Sequence, residues 1–281
     1  MKIVPIQLDT AGITRYSQLL KTCFPSTPTN SKKFSQSSLS WLYNNNPDGL
    51  AIGFDAFDEG QLVAHYVCIP TTITGAAGVV KALLSLNTAT APQYQGRGLF
   101  TQLAQATYSA ATQQGFSCVY GVANQNSTPG FVQKLGFNLV APLEAFIGIG
   151  RLQPQQTSAL QFQRSWHTAS LNWRCANPIN PIFARQHIKR SVFVANTGYP
   201  FTVAYDEQWG QVFSNNQFVT HKFRLKLIIG LFPRGISSTY FKIPNFLKPS
   251  PLNFIFKSLD TTVITPESNA IHFTFLDFDA Y

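Results

Sequence analysis

The chain has 281 residues, 44% of them hydrophobic and only 12% charged, with a formal net charge of +9. This length supports a real core, and so few charges exclude a charge-driven disordered chain. No apolar run approaches the roughly 20 residues that span a bilayer, and Met1-Lys2-Ile3-Val4-Pro5 lacks the apolar stretch of a secretory signal, so a folded, cytoplasmic protein is expected.

Residues 2–8 read as a first strand. Residues 11–24 place Ile13, Tyr16, Leu19, Leu20 and Phe24 close to helical spacing. Residues 26–38, rich in Pro, Ser and Thr, read as a loop. The turn-forming stretch 44–49 leads into strands at 50–57 and 61–70, joined by Asp58-Glu59-Gly60. Residues 81–90 form another strand, 98–114 a helix stopped by Gly115, and 117–123 a strand. A helix between two strands is the crossover that a parallel pair requires. A short helix at 128–135, ended by Gly136, and strands at 137–140 and 145–151 close the first half.

The second half opens with Pro154 and a helix near 158–175. Strands are expected at 190–195, 201–205, 222–232, 253–256 and 271–278. The fold class is α/β with a mixed (α+β) sheet, divided into units at 1–152 and 153–281. Leu39-Ser40-Trp41 before Asn46-Pro47 echoes Leu171-Asn172-Trp173 before Asn177-Pro178, with spacing that differs by one residue. The second unit therefore reads as a degenerate repeat of the first.

Charge is uneven. Residues 1–150 hold 8 basic and 6 acidic side chains, and residues 151–281 hold 13 and 6. The basic second half suits a small anionic partner, and no basic run suggests nucleic acid. The cysteines Cys23, Cys68, Cys118 and Cys175 are widely spaced, and the histidines form no ligand pair, so no metal is expected.

The informative stretch runs from Leu84 to Phe100. A strand enters the turn Gln95-Gly96-Arg97-Gly98, and the turn opens a helix. Free N–H groups and the helix dipole make such a turn an anion site. It is neither a Walker loop nor a dinucleotide fingerprint. With its downstream strand, Asn124 and the Leu135-Gly136-Phe137 helix end, this segment resembles the GCN5-related N-acetyltransferase (GNAT) superfamily. That family's acyl-CoA motif, Arg/Gln-x-x-Gly-x-Gly/Ala, matches Gln95-Gly96-Arg97-Gly98-Leu99-Phe100, and the resemblance covers about residues 1–150.

The resemblance implies acetyl-CoA as cosubstrate and direct transfer to an amine. It assigns Thr88, Ala89 and Thr90 to the pantetheine arm, and Gln95, Gly96, Arg97, Gly98, Leu99, Phe100 and Thr101 to the phosphates. Asn124 and Phe131 lie beside CoA. Two positions depart from the pattern: Phe100 replaces the last small residue, and Val132 stands where many members carry the tyrosine acid. Catalytic candidates are His65 as base, Asn87 acting through a water, and Asn124; Glu59 is a rival base. Trp41, Tyr43 and Asn46 suit a sugar or base, with His65 and Arg234 as further acceptor contacts. Trp41-x-Tyr43 before Asn46-Pro47-x-Gly49 resembles a GNAT-like subgroup of surface-polysaccharide pathways, which implies an aminosugar acceptor, often nucleotide-linked.

The second half has the strand at 225–232 but no glycine turn, so it is expected to have lost CoA binding and to shape the acceptor site or a dimer contact. Lys222, Arg224 and Lys226 share a strand face there and could meet a diphosphate. Asp277 and Asp279 share a face that could bind an ammonium group or end an edge strand. Two other readings stay open: transfer to a peptide or protein amine, and a non-catalytic binder of RNA or a membrane surface.

Overall fold

The computed structural model describes residues 1–24, 28–76, 78–152, 160–209, 213, 224–233, 239–248 and 251–278. Strand β1 (Lys2–Pro5) leads to helix α1 (Thr10–Cys23), whose start is fixed by Asp9 accepting from the Gly12 N–H at 2.7 Å. The stretch 26–38, expected to be a loop, carries α2 (Pro28–Lys33) and the first turn of α3 (Gln36–Asn44). The reason is local. Ser35 caps α3 by accepting from the Ser38 N–H, so the helix begins before the apolar residues that betray it in sequence.

Strands β2 (Ile52–Asp58) and β3 (Gln61–Gly75) form a hairpin in which Glu59 and Gly60 have φ of 49° and 81°. Two left-handed central residues match the twist of the strands they join. β4 (Gly78–Thr90) pairs antiparallel with β3, and α4 (Leu99–Gln113) then crosses to β5 (Cys118–Asn124), which runs parallel to β4. Residues Gly130–Lys134 wind as one π-helical turn rather than the expected α-helix. β6 (Asn138–Pro142) and β7 (Glu144–Gly148) follow.

In the second half the expected helix at 158–175 is shorter. Residues 162–164 are strand β8 (Phe162–Arg164), because Phe162 and Arg164 both turn inward, and His167 caps α5 (Thr168–Cys175). Strands β9 (Phe183–His187), β10 (Arg190–Asn196), β11 (Thr202–Trp209), β12 (Leu225–Leu231), β13 (Tyr240–Lys242), β14 (Leu252–Ser258) and β15 (Ile271–Thr274) complete the chain. The last expected strand, 271–278, ends early because residues 275–278 turn back. No helix among the described residues is long and apolar enough to cross a membrane.

The two halves trade strands. In the first, the order is β2-β3-β4-β5-β14-β6; in the second it is β9-β10-β11-β12-β7-β13. Each series pairs antiparallel, antiparallel, parallel, antiparallel, antiparallel. β14 enters the first series from the second half, and β7 makes the opposite journey. A seam of β3, β8, β15 and β12 joins the series into one mixed sheet.

The echoed tryptophans meet. Trp41 stacks on Trp173 at 4.6 Å, and the Trp173 indole N–H donates to the Trp41 carbonyl at 3.0 Å. The echoed asparagines make the same turn: Asn46 Oδ1 accepts from the Asp48 N–H, and Asn177 Oδ1 from the Ile179 N–H. Phe162 is fully buried, with Tyr120 and Phe254 both at 5.0 Å between ring centroids. Phe162→Ala is therefore expected to cost about 3–5 kcal/mol, the usual scale for emptying an aromatic core site. Exchanged strands also predict one urea transition shared by far-ultraviolet dichroism and tryptophan fluorescence; two separate transitions would contradict this packing.

Candidate active site

The parallel ladder between β4 and β5 stops at Ser85 opposite Gly121. β4 runs on to Thr90 and β5 to Asn124, and a cleft opens between them. On its other edge β4 stays paired with β3, through a bulge where Tyr66 faces both Asn87 and Thr88. Asn87 takes the extra residue's strain with φ of 47°, a conformation that Asn tolerates better than bulky residues. The edge of residues 86–90 facing β5 is thus an unpaired strand edge lining a cavity.

That cavity, of about 800 Å³, continues past Thr90 to the glycine turn. Gly96 and Gly98 have φ of 77° and 74°, and a side chain at Gly96 would meet no atom within 4 Å. The backbone there is bare and open. The N–H groups of Gly96, Arg97 and Gly98 donate to no acceptor among the described residues, and the first turn of α4 adds its own orphan donors. Nested donors at a helix start are a site for a diphosphate.

Thr88, Ala89, Thr90, Gln95, Gly96, Gly98, Leu99, Phe100, Thr101, Asn124 and Phe131 all line this cavity. Arg97 does not: its guanidinium lies 4.7 Å from the Tyr94 ring centre and donates to the Gln93 carbonyl. It flanks the turn, held by these two contacts. Phe100 is accommodated by a glycine the sequence reading passed over. A side chain at Gly130 would come within 3.3 Å of the Phe100 ring, so Gly130 makes the room that a small residue at 100 would leave. Asn124 Oδ1 is spent accepting from the N–H groups of Asn126 and Ser127, both at 3.0 Å. Only its amide NH₂ faces the cavity free, which makes it a donor and not a base.

A second cavity, of about 320 Å³, shares Ser85, Leu86, Asn87, Thr88, Val122 and Asn124 with the first. Its far wall comes from the second half of the chain: Arg164, Trp173, Arg174, Asp277 and Phe278. Sequence reasoning assigned none of the first three a role. The signal available was the Trp41/Trp173 echo, which marks where the halves touch.

Behind Asn87 runs a buried chain of hydrogen bonds. Asp55 and His65 are cross-strand partners, and His65 Nδ1 donates to Asp55 Oδ1 at 2.7 Å. Tyr16 donates to Asp55 Oδ2 at 2.7 Å and accepts from the Gln7 N–H. His65 Nε2 accepts from Tyr43 at 3.4 Å, and the Tyr43 oxygen accepts from Asn87 Nδ2 at 3.1 Å. Burial raises the Tyr16 and Tyr43 pKa values, so both remain donors. Every link points toward Asp55. The free end is Asn87 Oδ1, which accepts no hydrogen bond among the described residues; Asn87 lines both cavities.

This chain relocates several candidates. His65 has no exposed surface and lines neither cavity, so it neither contacts an acceptor nor takes its proton directly. Its imidazole is spent on Asp55 and Tyr43. Tyr43 is equally buried and reaches the site only through Asn87. Asn46 holds its turn and donates to the Pro70 carbonyl at 2.8 Å, and Trp41 is covered by Trp173. Glu59 sits at the hairpin tip, away from both cavities. Arg234, Lys222 and Asp279 lie outside the described residues. Among the described residues no free tyrosine lines either cavity in place of the acid missing at Val132: Tyr94 lines the larger cavity, but its hydroxyl donates to Asp58, which raises its pKa. Tyr43→Phe is expected to cost about 1–3 kcal/mol in urea unfolding, because Asn87 Nδ2 and His65 Nε2 each lose a buried partner.

Comparison with known proteins bears on the first half and on the whole fold separately. Residues 6–140 match the acetyltransferase (GNAT) domain family. A search of curated proteins finds no match. Among solved structures, a conserved protein of unknown function from Enterococcus faecalis superposes with a TM-score of 0.64 at 10% identity, covering 92% of this chain and 73% of that one. Eis1 from Mycobacterium abscessus gives 0.61 at 11%, covering 92% and 74%. A GCN5-related N-acetyltransferase from Anabaena variabilis gives 0.60 at 10%, covering 92% and 73%. At these identities the likeness speaks for the fold, and it extends through both halves. The matched segment holds the parted strands, the glycine turn and Asn124, so the likeness to the GNAT acetyltransferases falls on residues 6–140, and it supports an acyl-CoA-dependent N-acyltransferase.

Proposed function

We propose that the protein moves an acetyl group from acetyl-CoA to the primary amine of an aminosugar or nucleotide-linked aminosugar. The observation that carries the donor half is the unpaired edge of β4, which runs from the waist of two connected cavities to a bare glycine turn. Acetyl-CoA supplies an activated thioester carbonyl. Donors of the turn and of the first turn of α4 receive its pyrophosphate, with Arg97 alongside. Residues 86–90 offer main-chain groups to the pantetheine amides, and the Asn124 NH₂ can donate to the same arm. N–H groups at the β4 bulge are placed to stabilise the developing oxyanion. Phe100 and Phe131, in edge-to-face contact at 5.2 Å, give the larger cavity an apolar wall beside the glycine turn.

For the acceptor, the smaller cavity supports an aminosugar by its lining. Trp173 and Phe278 give aromatic surface, and Lys33, Arg164 and Arg174 give positive charge. Such walls suit a sugar carrying phosphate. The donor places the reaction in the cytoplasm. The matching strand orders support an origin of the second half as a degenerate GNAT-like repeat that now builds the acceptor wall. A peptide or protein acceptor is the second reading; the positive lining is a poor match for basic peptides and leaves acidic ones open.

Isothermal calorimetry with acetyl-CoA tests the donor assignment. The natural chain is expected to bind, and Gly98→Glu is expected to weaken binding by about 100-fold, since a carboxylate set against a diphosphate costs several kcal/mol. Gly98→Glu that folds and binds as well as the natural chain would remove the phosphates from this turn.

A further inference from the structure

Arg174 of α5 holds the chain's last described turn in place. Its Nε donates to the Leu276 carbonyl at 2.8 Å, and its Nη2 to the Phe275 and Phe278 carbonyls at 3.1 and 2.6 Å. Within the turn the Asp277 N–H donates to the Thr274 carbonyl, and the Thr274 N–H donates back to Asp277 Oδ2 at 2.7 Å. The carboxyl is therefore fixed at one oxygen. Its other oxygen, Oδ1, has no hydrogen-bond partner among the described residues and is not sealed within the packing. Asp277 is 3% exposed, and it lines the smaller cavity. Among the described residues it is the one carboxylate lining either cavity.

A buried carboxylate with one oxygen held and the other without a hydrogen-bond partner, on the wall of a cavity, can receive a cation from that cavity. Of the three cations lining this cavity, Lys33 comes from α2 in the first half, and the two arginines beside the turn are engaged by other groups. Arg164 pairs with Asp48 at 3.3 Å and lies over the Trp166 ring, and Arg174 is taken up by the carbonyls of the turn. We infer that Asp277 receives the acceptor's ammonium group at Oδ1 and takes a proton from it, so that the second half of the chain selects and activates the acceptor for the GNAT domain of the first. This rests on the acyltransferase reading and specifies the acceptor end of the same site.

The proton balance closes. Asp277 takes one N–H proton from the ammonium and leaves a neutral amine with a free electron pair. The amine nitrogen attacks the thioester carbonyl, the C–N bond forms and the C–S bond breaks. The sulfur departs with its electron pair and takes up a second proton from the nitrogen. Asp277 returns the first proton to solvent. Burial pushes the Asp277 carboxyl up to about 6; Arg164 and His272 pull it down, and Asp206 pushes it up. Arg174 adds a further positive charge across the turn. A carboxyl near 6 is ionised at neutral pH, where it attracts an ammonium, and it is a stronger base than an exposed aspartate.

The test uses the full chain with acetyl-CoA and propylamine, a minimal ammonium that fits the cavity whatever the natural acceptor carries. Acetyl-CoA affinity is measured by calorimetry, and CoA thiol release is followed from pH 5 to 9. Asp277→Asn is expected to bind acetyl-CoA as the natural chain does, to lose about 100-fold in kcat/KM, and to lose the fall in rate below about pH 6. Asp277→Glu keeps a carboxylate and is expected to keep that acid limb at reduced rate, so it serves if the Asn variant does not fold. An Asn variant that binds acetyl-CoA and acetylates propylamine within about threefold of the natural chain, with the acid limb intact, overturns the inference. So does a Glu variant that turns over with no acid limb, or a natural chain that binds acetyl-CoA and leaves propylamine untouched. Failure of the natural chain to bind acetyl-CoA overturns the acyltransferase reading instead, which separates the two.

Discussion

Main-chain groups that leave one ladder must find another partner. Once pairing between β4 and β5 ends at Ser85 and Gly121, the β4 edge over residues 86–90 faces open space. An unpaired edge of this kind is a template for another extended chain. An extended amide-bearing arm satisfies it in the way a strand would, and the bare N–H groups of the glycine turn wait where such an arm would end in phosphate. The bulge at Asn87 and Thr88 belongs to the same arrangement, since it bends β4 away from β5 while β3 continues to support it.

The strand exchange explains why the site needs the whole chain. β14 covers β5 on the side away from the cleft, and the turn after β15 puts Asp277 and Phe278 into the smaller cavity. The first half presents the larger cavity, the proposed donor site. The second half supplies the wall that an acceptor would meet. Arg174 reaches from α5 to the carbonyls of that turn, so the helix that carries Trp173 also fixes the turn that carries Asp277. Packing between the halves and the shape of the acceptor cavity are thus set by the same few side chains.

Much of the donor side was legible in the sequence because it is local. Gln95-x-x-Gly98 following a strand and opening a helix, with Asn124 at the end of the next strand, specifies a turn and its neighbours within about thirty residues. Of the acceptor side only Asp277 could be singled out from the sequence, and not the cavity it lines, because that cavity is assembled from residues more than a hundred positions apart. Leu84 and Asp277 share a cavity only after β14 and β15 have entered the sheet. His65 misled for a related reason. A histidine on a strand beside the expected acceptor looks like a base until Asp55, opposite in register, and Tyr43, from another helix, close around it. The first turn of the helix at Gln36–Asn44 read as loop because it is polar and its cap is a serine.

Hydrogen–deuterium exchange of the full chain, with and without acetyl-CoA, tests the central claim most directly. The account predicts slowed exchange at the amides of residues 86–90 and 96–101, with residues 225–233 of the second half unchanged. No protection at residues 86–90, or protection centred on residues 225–233, would contradict it.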